Sequence, residues 1–236
     1  MLRDGVPGSG GAIIAARKQT NGRGRNKRYW HSPEGGVWVS YILESELKKI
    51  SPGLLSMAAG IAARNEINKF LPGTQIKWPN DCIYNGKKVA GVLIESIVED
   101  GMLKSVVGIG INTNTQDFDY VIDGDNVPIH QRGRHLSEIA TSIKRETGVT
   151  VDNVSMICNL SQELDKFYFL ARVVPDAVCR SYTMKLAYVA SQVMVYKRNK
   201  YCYDAKLIGV DTSGMLNVER IDTKEKVTLV DEEIFG

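Results

Sequence analysis

The chain has 236 residues, 43% hydrophobic and 24% charged, with a formal net charge of +3. That length suits one large domain with a smaller one appended, and the balance of residue types is globular. No run approaches the roughly 20 apolar residues of a membrane span, the opening MLRDGVPGSGG lacks the apolar stretch of an export signal, and the modest charge excludes a dedicated DNA binder, so a cytoplasmic protein is expected.

Residues 12–16 form a short apolar run suited to a buried strand. It empties into a loop in which Arg17, Lys18, Arg23, Arg25, Lys27 and Arg28 fall within twelve residues without an acid. After the turn signal Ser32-Pro33-Glu34-Gly35-Gly36, residues 37–43 (VWVSYIL) read as the next strand. Ser51 and Pro52 supply an N-cap and a first-turn proline, and Leu54, Ala58, Ile61 and Ala62 recur at helical spacing, predicting a helix to about Phe70. From Thr74 to Asn112 the pattern is an antiparallel meander (TQIKW, CIY, KVAGVLIESIV, KSVVGIGIN), with Asn85-Gly86 and Asp100-Gly101 as two-residue hairpin turns. Residues 113–134 read as irregular. Leu136, Ile139, Ala140 and Ile143 mark a helix that stops at Gly148, and Asp152 caps another to about Leu170. From about Ser191 short strands return (SQVMVYK, YDAKLIGVD, MLNVE, KVTLV), with turns at Asn199, residues 212–214 and residues 222–224. These suit a small SH3-like barrel. Cys82, Cys158, Cys179 and Cys202 are 20 or more residues apart and form no zinc or disulfide pattern, so they read as reduced, mostly core thiols.

Four segments carry chemistry. In the first, Gln19-Thr20-Asn21-Gly22-Arg23-Gly24-Arg25-Asn26-Lys27-Arg28-Tyr29-Trp30, glycines permit close backbone approach and guanidinium groups offer paired donors to phosphate or carboxylate. A phosphate clamp is one reading; a soluble surface loop or a single-strand nucleic-acid segment is another. In the second, Lys77-Trp78-Pro79-Asn80-Asp81, an amide and a carboxylate at a strand end can hold magnesium or orient an amine, or simply form a turn. The third places Lys88 on a strand just after a hairpin, in Gly86-Lys87-Lys88-Val89-Ala90-Gly91-Val92-Leu93-Ile94-Glu95, where a lysine also serves as a solvated edge residue. The fourth, Gly108-Ile109-Gly110-Ile111-Asn112, interrupts a strand with glycines, as a bulge does or as the close approach of a ligand requires.

Together and in this order, GRGR, W-x-SP-x-GG, KWPND, G-x-K-x-AG-x-L-x-E and GIGIN resemble the biotin protein ligase family over nearly the whole chain from Gly11 onward. Ala140-Thr141-Ser142-Ile143 resembles a helix segment of that family. No helix-turn-helix precedes the motifs, so the resemblance is to ligase-only members. It implies an α+β fold, a mostly antiparallel sheet with helices on one face as in class II synthetases, spanning residues 1–186, and an SH3-like β domain at residues 187–236. It implies that biotin is activated by ATP and magnesium to biotinyl-AMP and passed to a lysine of a biotin carboxyl carrier protein. The same resemblance implies a homodimer with no specific DNA or membrane partner.

Carried onto matching positions, Gln19, Gly22, Arg23, Gly24, Arg25, Lys88 and Gly91 would bind biotin, with Arg23 clamping its carboxylate and the α-phosphate. Arg25, Arg28, Trp30, Lys77, Asn80 and Asn112 would surround the nucleotide, and Asn80 would lie at the magnesium. Arg23 and Lys88 would be catalytic, and Asp81 is the candidate to orient the proton of the attacking amine. Two departures stand out. The family opens with a strand and a helix bearing Ser-Thr-Asn, absent from the residues ahead of the first strand here, which a chain that starts late, a partner that supplies the segment or a loss of full activity would each explain, the first being favoured; and it tends to a small residue where Lys27 stands. A lipoate protein ligase and a non-catalytic biotinyl-AMP-binding protein are the rival readings.

Overall fold

The computed structural model describes residues 11–46, 49–123, 131–197, 200–230 and 232–236. Its fold is α+β. Six antiparallel strands form the first sheet in the order β1-β2-β6-β5-β4-β3: β1 (Ile13–Ala16), β2 (Val37–Glu46), β3 (Gln75–Lys77), β4 (Asp81–Tyr84), β5 (Lys87–Glu99) and β6 (Met102–Ile111). Both predicted hairpin turns form, with Asn85 and Gly86 at φ 48° and 77° and Asp100 and Gly101 at 50° and 75°. These left-handed pairs match the twist of the flanking strands.

Period-two alternation divides the two faces of this sheet. Along β6, Leu103, Ser105, Val107, Ile109 and Ile111 are buried, on the face covered by helix α1 (Pro52–Asn68), while α4 (Asn153–Val173) packs on α1 and β2. The intervening Val106, Gly108 and Gly110 turn to the opposite face and floor a cavity. Helix α1 begins where expected, with Ser51 Oγ accepting from the Leu54 amide at 3.1 Å. The Asp152 cap of α4 is also present, its carboxylate accepting from the Val154 amide at 3.0 Å.

Several expectations are corrected. Residues 12–16 are not a buried strand: Ile13 and Ile14 are 51% and 44% exposed, because among the described residues β1 is an edge strand paired with β2 alone. The helix expected from Leu136 to Gly148 is two short ones, α2 (Leu136–Ile139) and α3 (Ile143–Thr147). Ala140, Thr141 and Ser142 between them are not helical. Ala140 is extended and bridges Lys88, the Thr141 amide donates to the Lys88 carbonyl at 2.9 Å, and Ser142 Oγ restarts the helix by accepting from the Arg145 amide. Pairing with β5 outweighs helix propensity there. Helix α5 (Pro175–Thr183) was not anticipated; its proline start is regular, and it buries Val178, Cys179 and Tyr182. Only Cys82 and Cys179 are buried thiols, while Cys158 and Cys202 are exposed.

The second sheet is a five-stranded antiparallel one, in the order β10-β9-β8-β7-β11. Its strands are β7 (Gln192–Lys197), β8 (Lys200–Val210), β9 (Leu216–Arg220), β10 (Lys226–Leu229) and β11 (Glu233–Phe235). The last was not read from the sequence, and the expected turn at Asn199 lies outside the described residues. One continuous apolar cluster joins the two sheets, from Val37 and Leu55 to Val193, Leu207 and Ile234. Among the described residues no helix is long and apolar enough to cross a membrane.

Candidate active site

The basic loop leaves β1 and closes on itself. Trp30 donates its amide to the Gly22 carbonyl at 3.0 Å, Gly24 to the Arg28 carbonyl at 2.8 Å, and Gln19 to the Ser32 carbonyl at 3.0 Å. Gly22 is buried at the neck of this loop, where a Cβ would lie 2.2 Å from the Trp30 carbonyl oxygen, so it shapes the loop and is not part of the cavity wall. The tip is a single 3-10 turn, Arg25–Lys27, with Asn26 and Lys27 at φ 56° and 59°. Lys27 thus takes a left-handed conformation that glycine would adopt without steric cost.

The loop's arginines are sorted by this geometry. Arg23 is outermost, with its side chain 65% exposed and 3.6 Å from Glu95. Arg25 points inward: burial lowers its guanidinium pKa, opposed by the Asp81 charge. Arg28 binds Glu233 of β11 at 2.5 Å, so the second sheet reaches the loop directly.

The turn between β3 and β4 forms the facing wall. Its Asn80 side chain donates to the Val92 carbonyl at 2.9 Å, and the Val92 amide returns a bond to the Asn80 carbonyl at 2.8 Å. Asn80 is thereby fixed with Oδ1 left over. Lys88 Nζ lies 2.6 Å from Asp81 Oδ1, a close ion pair. The same ammonium sits 4.8 Å above the Trp30 ring, and Lys77 Nζ sits 4.5 Å above Phe235. Burial lowers the Lys77 pKa, with Asp81 and Glu233 opposing. Asn112 is buried and holds the Thr141 carbonyl through Nδ2 at 3.0 Å.

The glycines of β5 and β6 make room for a side chain of this same protein. A Cβ on Gly110 would lie 2.7 Å from Trp30 Nε1, and one on Gly91 would lie 3.2 Å from the Trp30 ring. Trp38, edge-on at 6.3 Å between centroids, backs the indole. The remaining wall comes from the irregular stretch after β6, where Tyr120 lies 5.7 Å from Tyr29 and stacks on His31 at 6.0 Å.

These parts enclose a cavity of about 600 Å³, lined by every site residue expected from sequence except Gly22. Sequence reasoning missed Tyr29, Tyr120, Glu95, Glu233 and Phe235, which also line it. Tyr29 adjoins the basic motif, and Glu95 closes the G-x-K-x-AG-x-L-x-E pattern, so both had a signal; Tyr120, Glu233 and Phe235 are brought in by tertiary folding alone. The arrangement presents Arg25, Arg28, Lys77 and Lys88 to one space, with Asp81 and Glu233 as counter-charges. It suits a reaction between anionic groups. No cluster of three metal-binding carboxylate, thiol or imidazole groups occurs among the described residues.

The sequence profile of the biotin/lipoate A/B protein ligase family matches residues 8–112. The bifunctional ligase/repressor BirA of Bacillus subtilis is 32% identical over 234 residues, covering 95% of this chain and 66% of that protein. The chain thus spans just under two thirds of that relative's length. The biotin–[acetyl-CoA-carboxylase] ligase of Paracoccus denitrificans is 35% identical over 153 residues, covering 62% of this chain and 59% of that protein. Among solved structures, the biotin protein ligase from Aquifex aeolicus in complex with biotin and ATP superposes with a TM-score of 0.76 at 23% identity, covering 99% of this chain and 92% of that one.

Proposed function

The chain belongs to the biotin protein ligase family, and from that premise we propose that it activates biotin with ATP and transfers it to one lysine of a biotin carboxyl carrier protein. The observation that carries this reading is the convergence of Arg25, Arg28, Lys77 and Lys88 on one cavity with Asp81 paired to Lys88. In the first step the biotin carboxylate attacks the α-phosphorus of ATP and pyrophosphate leaves; in the second a neutral lysine amine of the carrier attacks the mixed anhydride and AMP leaves. Cations are needed because the first step joins two anions. Arg25 and Lys88 are best placed to hold the carboxylate and α-phosphate, and Arg28, Lys77 and Trp30 to meet the nucleotide. Arg23 has the weaker claim, since it faces solvent and Glu95. Asp81, with one oxygen on Lys88, can orient the incoming amine through the other.

Magnesium fits the donor set. Asn80 Oδ1 is unspent by the bond that fixes its amide, Asp81 adds a carboxylate, and this ion takes one or two carboxylates together with substrate phosphates. It would neutralise phosphate charge. The division at residues 186/187, a cytoplasmic location and a homodimer belong to the same reading.

The test is intact-mass spectrometry of a biotin carrier domain incubated with the chain, biotin and magnesium-ATP. A single biotin adduct, lost with Lys88→Ala and absent when lipoate replaces biotin, is the expected result. No adduct from the wild-type chain would overturn the reading, and a lipoate adduct would transfer it to the lipoate branch.

A further inference from the structure

The Trp78–Asp81 turn is gripped from behind by residues outside the cavity. Trp78 is 4% exposed, and its indole N–H donates to the Gly214 carbonyl at 3.0 Å. Gly214 belongs to the tight turn between β8 and β9. That turn is built by Asp211, whose Oδ1 accepts from the Ser213 amide at 2.9 Å, the Met215 amide at 3.1 Å and the Ser213 hydroxyl at 2.7 Å. Burial works to raise the Asp211 carboxyl, and these bonds together outweigh it and hold it below the usual aspartate range.

The same turn is wedged against the start of α1. A Cβ on Gly53 would lie 1.8 Å from the Ser213 carbonyl oxygen, and one on Gly214 would lie 2.7 Å from the Gly53 Cα. Only two glycines let these backbones touch. On the other flank the buried Tyr182 hydroxyl of α5 donates to the Pro79 carbonyl at 3.0 Å. Trp78 and Pro79 are therefore each tied by a hydrogen bond from or to an element that carries no reacting group, and Asn80 and Asp81 follow directly in the chain.

We propose that the β8–β9 turn of the second sheet is a positioning element for the reaction: seated on Gly53 and accepting the Trp78 indole N–H at Gly214, it sets where Asn80 and Asp81 stand relative to Lys88. The sheet thus acts on the chemistry through a backbone wedge, in addition to the Glu233 and Phe235 side chains it places in the cavity. A misplacement of about 1 Å costs on the order of a hundredfold in rate, so a small displacement of this turn has a measurable effect.

The kinetic half of the test rests on the ligase reading; the structural half does not. Gly53→Ala pushes the turn away without altering a cavity residue, and Trp78→Phe removes the donor while keeping most of the ring. For each variant, amide hydrogen exchange is followed at residues 81–83 and Val92, with α4 as the internal reference, and biotin-dependent exchange of pyrophosphate into ATP gives kcat and KM. The expected result is about tenfold or more faster amide exchange at those residues with α4 unchanged, and a fall of about tenfold or more in kcat with KM for biotin within about threefold. Unchanged exchange at residues 81–83, or acceleration spread equally over α4, overturns the proposal. If Gly53→Ala does not fold, Trp78→Phe decides by the same criteria. A wild-type chain that makes no biotin adduct sinks the ligase reading alone, and the amide exchange still decides this one.

Discussion

Arg23 and Arg25 are two residues apart in a motif that treats them alike, yet they occupy opposite environments. Arg23 is solvated and pairs loosely with Glu95, an arrangement contributing about 0–1 kcal/mol. Arg25 is carried into the cavity by the 3-10 turn and set against Asp81. A cation aimed at developing charge in a partly dehydrated site has far more effect on a transition state than one in water. Arg25→Ala should therefore slow biotin-dependent pyrophosphate exchange by about a hundredfold or more, and Arg23→Ala by less than about tenfold. Equal losses would mean that the loop inverts on binding substrate. Alternation of glycine and arginine announced an anion site; which arginine faces inward depends on Asn26 and Lys27 adopting positive φ, for which no glycine stands as a signal.

At the scale of elements, caps and hairpin turns were the most readable features, because their energetics are local. Asp152 is an example: its carboxylate accepts from the Val154 amide and the Ser155 hydroxyl, and these bonds depress its pKa. A depressed folded-state value means that the contribution is complete above the ordinary aspartate pKa of about 3.9 and disappears as pH falls through the lower folded value. The melting temperature of Asp152→Asn should accordingly lie beneath wild type at pH 7 and approach it only as pH falls below the ordinary aspartate pKa of about 3.9 and through the lower folded value, in thermal melts across that range. A constant difference at every pH would show that the cap acts through geometry alone. The misread helix at residues 136–148 marks the limit of local rules. Its apolar spacing is helical, but the Lys88 carbonyl of β5 and the Asn112 side chain just beyond β6 capture Thr141, and both are distant in sequence.

For the whole molecule, the continuous core raises the question of whether the two sheets unfold together. Cys82 and Cys179 report on it. Cys82 is buried on β4 of the first sheet with its thiol pushed up to about 12 by burial, and Cys179 Sγ of α5 is 3.4 Å from the Asp211 carbonyl just beyond β8 of the second. Thiol labelling of the native protein at pH 8 should reach only Cys158 and Cys202, the two exposed cysteines. In a denaturant series Cys82 and Cys179 should then become reactive in one transition, because the same apolar cluster contains both. Labelling of Cys179 at lower denaturant than Cys82 would show that the second sheet separates first.

The sequence by itself determined the α+β class, the order of most strands, the positions of the caps and hairpin turns, and most of the charged and polar residues that line the cavity between Gln19 and Asn112. Each of these depends on residue type and short-range spacing, which the chain carries in one dimension. Tertiary structure alone decided that Arg25 and not Arg23 turns inward, that Trp30 fills the space left by Gly91 and Gly110, and that β11 supplies Glu233 and Phe235 to the site. Those outcomes depend on which backbones come into contact across the core, and such contacts between residues as far apart as Arg28 and Glu233 leave no local pattern to read.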